Sequence, residues 1–73
     1  MRQKRKVLRL RQLRRAREMS QAELGKRVGL QKTTIADIES GRTRPSLTKA
    51  ELLAGVFGVT IDEAFRQVEI AAP

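Results

Sequence analysis

Twenty residues, Gln21 to Ser40 (QAELGKRVGLQKTTIADIES), constrain this chain more than any other stretch. Apolar residues fall at Leu24, Val28, Leu30, Ile35 and Ile38, and Gly29 interrupts them. That spacing predicts two short helices joined by a tight turn, with the five side chains forming one buried seam. On the second helix, Gln31, Lys32, Thr33, Ala36 and Asp37 then face outward. Ser20-Gln21-Ala22-Glu23 sets the start of the first as a capping box, with Met19 placed to staple against Leu24. Gly29 supplies the left-handed backbone that the turn needs. Mid-helix, Gly25 costs about 1 kcal/mol relative to alanine, a cost that close crossing by the next helix explains.

Charge decides what such a helical pair faces. Residues 1 to 17 hold nine Lys or Arg and no acid, whereas residues 45 to 73 hold two basic and four acidic residues. A cationic front half favours a polyanion, nucleic acid first and an anionic membrane surface second. The membrane reading needs bulky aromatics on an apolar face, and residues 1 to 20 contain none. Two layouts fit the pair itself: a helix-turn-helix with its second helix shaped for the DNA major groove, and an ordinary hairpin in a small bundle.

The formal net charge is +8, and the chain has neither cysteine nor histidine. Disulfides and thiolate metal sites are thereby ruled out, along with the commonest general base. No metal or cofactor is expected. Ser20, Ser46 and Thr60 read as helix caps, and no paired carboxylates or phosphate-cradling glycine loop point to an enzyme. The two aromatics, Phe57 and Phe65, fit a core and leave no stacking platform for RNA. A cytoplasmic protein with no membrane span is the expectation.

At 73 residues the chain reads as one domain: a basic arm over 1–6, a helical core over 7–67 and a short tail over 68–73. Helix 1 is expected to become regular near Lys4 to Val7 and run to Arg17 or Glu18, with Val7, Leu10 and Leu13 as its apolar stripe. Its other positions are nearly all Arg, Lys or Gln, which repel one another at i, i+4 and are relieved by phosphates. Helix 3 spans roughly Lys32 to Ser40 and closes at Gly41. Ser46 caps a fourth helix to about Phe57, with Leu47, Ala50, Leu53, Ala54 and Phe57 inward. Thr60 to Glu63 reads as a second capping box, opening helix 5 with Ile61 and Phe65 inward. Nothing reads as a sheet, so the expected fold is all-α with five helices.

So arranged, the chain resembles the phage repressor and Cro-type (XRE) helix-turn-helix family over about residues 7 to 65. The matching pieces are LRLRQLRRAREMSQAELGKRVGL, TTIADIESGRTRPSL and FGVTIDEAF, with Gly25, Gly29, Glu39, Gly41, Pro45-Ser46-Leu47 and Gly58-Val59 in order. The resemblance implies a compact lambda-repressor-like domain. It places Arg14 and Glu39 as an internal ion pair, and Gln21 at the start of helix 2 against a DNA phosphate. A helix N-terminus attracts anions in any case. Gln31, Lys32, Thr33, Ala36 and Asp37 fall at base-facing positions, and Arg42 and Arg44 in the phosphate-contacting loop that follows. Three departures stand out. Gln31 is a poor cap, so the start of helix 3 is weak unless Thr33 or Thr34 caps it a turn later. Asp37 is an acid among phosphates, to be satisfied by a cytosine amino group or a base such as Arg42. Helix 1 is unusually rich in arginine.

The functional expectation is a sequence-specific regulator of transcription on double-stranded DNA, a repressor or controller that reads a palindrome as a homodimer. A domain of this size reads only a few base pairs, so useful specificity calls for two copies. Helix 4, helix 5 and the tail are left for the dimer surface, with Leu52, Val56, Val68 and Ile70 as candidates; Val68 and Ile70 alternatively cap the bundle. A second class is an antitoxin, in which the acidic C-terminal half binds a cognate toxin.

Overall fold

A computed structural model describes residues 4–71. In chain order the elements are β1 (Lys4–Leu8), α1 (Arg9–Ala16), α2 (Gln21–Val28), α3 (Lys32–Glu39), α4 (Leu47–Val56), α5 (Ile61–Ala64) and β2 (Gln67–Ala71). The five expected helices are present. The all-α expectation fails at both ends, where β1 and β2 pair antiparallel. Residues 1–3 of the expected basic arm and residues 72–73 of the tail lie outside the described residues.

The misassigned segment has a clear physical cause. Lys4 to Leu8 shows a helix-like spacing toward Leu10, but its partner is sixty residues away: Val7 lies opposite Val68, and Leu8 opposite Gln67. Val7 is 3% exposed, so the burial expected of it is met from a strand rather than from helix 1. Helix 1 begins only at Arg9, whose amide donates to the Arg66 carbonyl at 2.7 Å and anchors the helix to the end of α5. Val68 and Ile70, for which the sequence offered no core, are half-buried on one face of β2.

Leu10, Met19, Leu24, Val28, Ile35, Ile38, Leu53, Ala54, Phe57 and Ala64 form the central core, with Leu13, Leu30, Val56, Ile61 and Phe65 packed at its margin. Burying one such leucine or isoleucine contributes about 1.5–3 kcal/mol before entropy. Leu47 departs from expectation: placed inward by the sequence, it is 69% exposed at the first turn of α4. The Thr60 box is also one-sided. Thr60 accepts from the Glu63 amide, but the Glu63 carboxylate turns to Arg9 and Arg66 instead.

Candidate nucleic-acid interface

The pairing of α2 with α3 starts from its caps. Ser20 Oγ accepts from the Glu23 amide at 3.0 Å, and the Glu23 carboxylate accepts from the Ser20 amide at 2.9 Å, completing the reciprocal box. These two hydrogen bonds from Ser20, backbone amide and then hydroxyl, favour the ionised Glu23 carboxylate and hold its pKa below the ordinary 4.5. Gly29 ends α2 at φ +73°, and the Leu30 amide returns to the Gly25 carbonyl at 2.9 Å. Gly25 has a nearer neighbour than the sequence suggested. A Cβ there would overlap the Leu30 carbonyl oxygen, so the turn itself, rather than the body of α3, requires glycine.

Lys49 takes part in that turn, and nothing in the sequence marked it. Its Nζ donates to the Val28 carbonyl at 2.6 Å, satisfying a C-terminal carbonyl of α2 and pinning α4 beneath it. Arg17 does the same for α4, donating to the Val56 carbonyl at 3.0 Å while its guanidinium lies 5.1 Å from the Phe57 ring centroid. Both look like ordinary surface cations in sequence. A basic residue shortly after one helix, opposite the end of another, is the only signal available, and it is weak.

Behind the pair is a buried ion cluster. The Arg14 guanidinium meets both Glu39 oxygens, Nε to Oε2 at 2.7 Å and Nη2 to Oε1 at 3.1 Å, and Nη1 donates to the Met19 carbonyl at 2.7 Å. Gln21 Nε2 adds a bond to Glu39 Oε1 at 3.1 Å. One carboxylate, 2% exposed, thus ties together α1, the start of α2 and the end of α3. Among the described residues every buried side-chain polar atom has a partner. The side chain of Gln21 is therefore spent inward, and what α2 offers outward at that point is its N-terminal end.

The outer face of α3 is laid out by this frame. Gln31, Lys32 and Thr33 are exposed and Ala36 and Asp37 half-exposed, while Ile35 and Ile38 are buried. Gln31 stands at the N-cap without a side-chain bond, and the helix starts at Lys32 rather than a turn later, so neither Thr33 nor Thr34 serves as cap. At the other end the Asp37 carbonyl accepts from the Arg42 amide at 2.9 Å and from the Ser40 hydroxyl at 3.2 Å, closing α3 before Gly41 at φ +81°. Arg42 Nη1 stands 3.8 Å from Asp37 Oδ1, a loose pair with both ends in solvent, and Arg44 is exposed two residues on. Leu52 is 46% exposed and Val56 half-buried on α4, apart from the α3 face in sequence.

An exposed, polar α3 held at a fixed angle to a capped α2 is the geometry of a DNA-reading pair. The helix-turn-helix family profile matches residues 10–63. An uncharacterized HTH-type transcriptional regulator of Archaeoglobus fulgidus is 40% identical over 57 residues, covering 78% of this chain and 80% of that protein. The immunity repressor of Bacillus phage phi105 is 34% identical over 53 residues, 73% of this chain and 37% of that protein. Among solved structures, the restriction-modification controller protein C.AhdI from Aeromonas hydrophila superposes with a TM-score of 0.69 at 33% identity, over 78% of this chain and 86% of that one. A transcriptional regulator from Listeria innocua gives a TM-score of 0.72 at 28% identity, over 78% and 53%. The chain belongs to the XRE-type helix-turn-helix family of DNA-binding transcriptional regulators.

Proposed function

We propose that the protein binds a palindromic operator as a homodimer, with α3 of each copy in the major groove, and acts there as a repressor or controller of nearby genes. The observation that carries this reading is the outer face of α3: its two inward isoleucines are buried and its polar residues project together at one end. Lys32 suits guanine O6 and N7, Gln31 adenine, and Thr33 and Ala36 a thymine methyl. Gln31 is free for that task, since it makes no cap bond. Asp37 accepts from a cytosine amino group or releases Arg42 to a phosphate as the complex forms. Arg42 and Arg44 contact the backbone beside it, and the N-terminus of α2 at Gln21 meets a phosphate through its amides.

The small size of the chain and its likeness to a restriction-modification controller protein support a compact regulator that works as a pair. Leu52 and Val56 then supply the dimer contact, with Val68 and Ile70 at its edge if the second copy reaches β2. Selection of bound duplexes from a random pool tests the whole reading. Two inverted half-sites about one helical turn apart are expected. Recovery of a single asymmetric half-site, with sedimentation of one copy per duplex, would overturn the dimer.

A further inference from the structure

Five ion pairs engage Lys4, Arg9, Arg14, Arg42 and Arg66 among the described residues. Arg5, Arg11 and Arg15 have no such carboxylate among them. Alternation along β1 explains the first. Lys4 and Lys6 share one face of the ribbon, where Lys4 reaches Glu69 at 4.0 Å and Lys6 lies opposite the same residue. Arg5 is on the other face with Val7, opposite Ile70, where β2 offers no acid. Arg11 and Arg15 are an i, i+4 pair of like charge on α1, and neither makes a side-chain hydrogen bond among the described residues.

The three belong together. Partial burial depresses the pKa of Arg11, and the fields of Arg15 and then Arg5 depress it further. Glu39 is the nearest acid whose field offsets them, and it is already saturated by Arg14 and Gln21. Through Glu39 the cluster is also located. It borders the end of α3 and the start of α2, on the side where a phosphate would meet Gln21. A fold that presses three cations together there, at a cost to itself, is arranged for an anion from outside.

We propose that Arg5, Arg11 and Arg15 form a second phosphate-binding site that carries the DNA backbone beyond the helix-turn-helix footprint, along α1 and the β-ribbon. The proposal rests on the DNA-binding reading above and adds a contact surface that α2, α3 and their loop do not supply. In this view the ribbon positions Arg5 beside the α1 arginines, which a loose arm would not do.

The test uses the full chain with Arg5, Arg11 and Arg15 all changed to Gln. A charge-matched control carries Lys26→Gln, Arg27→Gln and Arg66→Gln, at the C-terminal end of α2 and after α5. Either triple variant has net charge +5, three below the wild-type +8. On random duplex DNA the cluster variant is expected to lower the slope of log affinity against log salt by about 2 to 3, near 0.9 for each phosphate no longer neutralised. The control is expected to lower it by less than about 1. Free of DNA, the cluster variant is expected to melt at the same temperature as wild type or higher, because repulsion is relieved.

Equal slope changes in the two triple variants would overturn the proposal. So would a lower melting temperature in the cluster variant, which would assign the arginines to the fold. Lys32→Ala, measured alongside, keeps the two readings apart. It alters the preference for the selected operator over random duplex, whereas the cluster variant lowers both affinities and leaves their ratio unchanged. No operator preference in wild type, with the cluster effect intact, would remove the base-reading assignment and leave the phosphate site standing.

Discussion

On α1, Arg14 turns inward to a carboxylate, whereas Arg11, one turn earlier, ends among other cations. The same side chain on the same helix meets two environments because the helix has one face on α3 and another beside β1. Arg14 is 9% exposed and fully bonded, so its contribution is to the unbound protein. Arg11 is only partly covered and faces repulsion, so its contribution appears when phosphates arrive. The comparison teaches a rule for the other charged residues here: partners within the chain report on folding, and their lack reports on the ligand.

Arg14→Ala tests the folding side of that rule most severely. It leaves the Glu39 carboxylate buried with only Gln21 for company, and a loss of about 3–5 kcal/mol in unfolding free energy is expected by denaturant titration. Replacing both, Arg14→Met with Glu39→Met, should recover part of this. The Met19 carbonyl would still lack its donor, leaving about 1–3 kcal/mol. A loss under about 1 kcal/mol for Arg14→Ala would mean the two arginines differ less than their surroundings suggest.

Lys32→Ala is the opposite case, since Lys32 is exposed and without an ion pair among the described residues. Unfolding should be unchanged within about 0.5 kcal/mol. Discrimination at one base pair of a selected operator should fall by about 1–3 kcal/mol in competition binding. Equal weakening on cognate and random duplexes would shift the reading register of α3 away from Lys32.

How much of this contrast was legible in the sequence depends on the range of the interactions involved. The α2 caps, the Gly29 turn and the buried seam are local, set by residues within four positions of each other, and they stand as the sequence suggested. Gly25 was rightly singled out but for the wrong neighbour, because the fold of a turn carbonyl is not written in a period of 3.6. β1 was missed because its ladder partner is the tail. Neither strand has a sheet signal alone, and Lys-Arg-Lys is as good a helix start as a strand. Glu18 escaped notice for a related reason. It ends α1 at φ +53°, with the Met19 amide returning to the Arg14 carbonyl at 3.2 Å, a position where glycine is the usual choice. Arg11 and Arg14 likewise look alike in sequence; only the resemblance separated them, and only Arg14.

Arg42 stands between the two extremes, loosely paired with Asp37 across 3.8 Å in solvent. Arg42→Ala should therefore change stability little, since exposed pairs contribute about 0–1 kcal/mol. The salt slope of DNA binding should drop by about one ion on every sequence. Asp37→Ala sharpens this: freeing Arg42 should strengthen non-specific binding, and weaker binding on random duplex would show that Asp37 positions the arginine.

The smallest expected effect tests the folding side at a fully local contact. Glu23 is solvent-exposed, but its carboxylate accepts from the Ser20 amide, and that bond with the Ser20 hydroxyl holds its pKa below the ordinary 4.5. A folded pKa below the unfolded one means that the ionised box adds stability above about pH 4.5 and loses it as pH falls through the lowered value. Melting temperatures taken on the acid side should therefore fall more steeply in wild type than in Glu23→Gln, whose amide keeps the bond without titrating. The two curves should run parallel above the carboxylate range. Unlike Arg11, whose strain awaits a partner, Glu23 already has its partner, so DNA should leave the difference between the two curves unchanged.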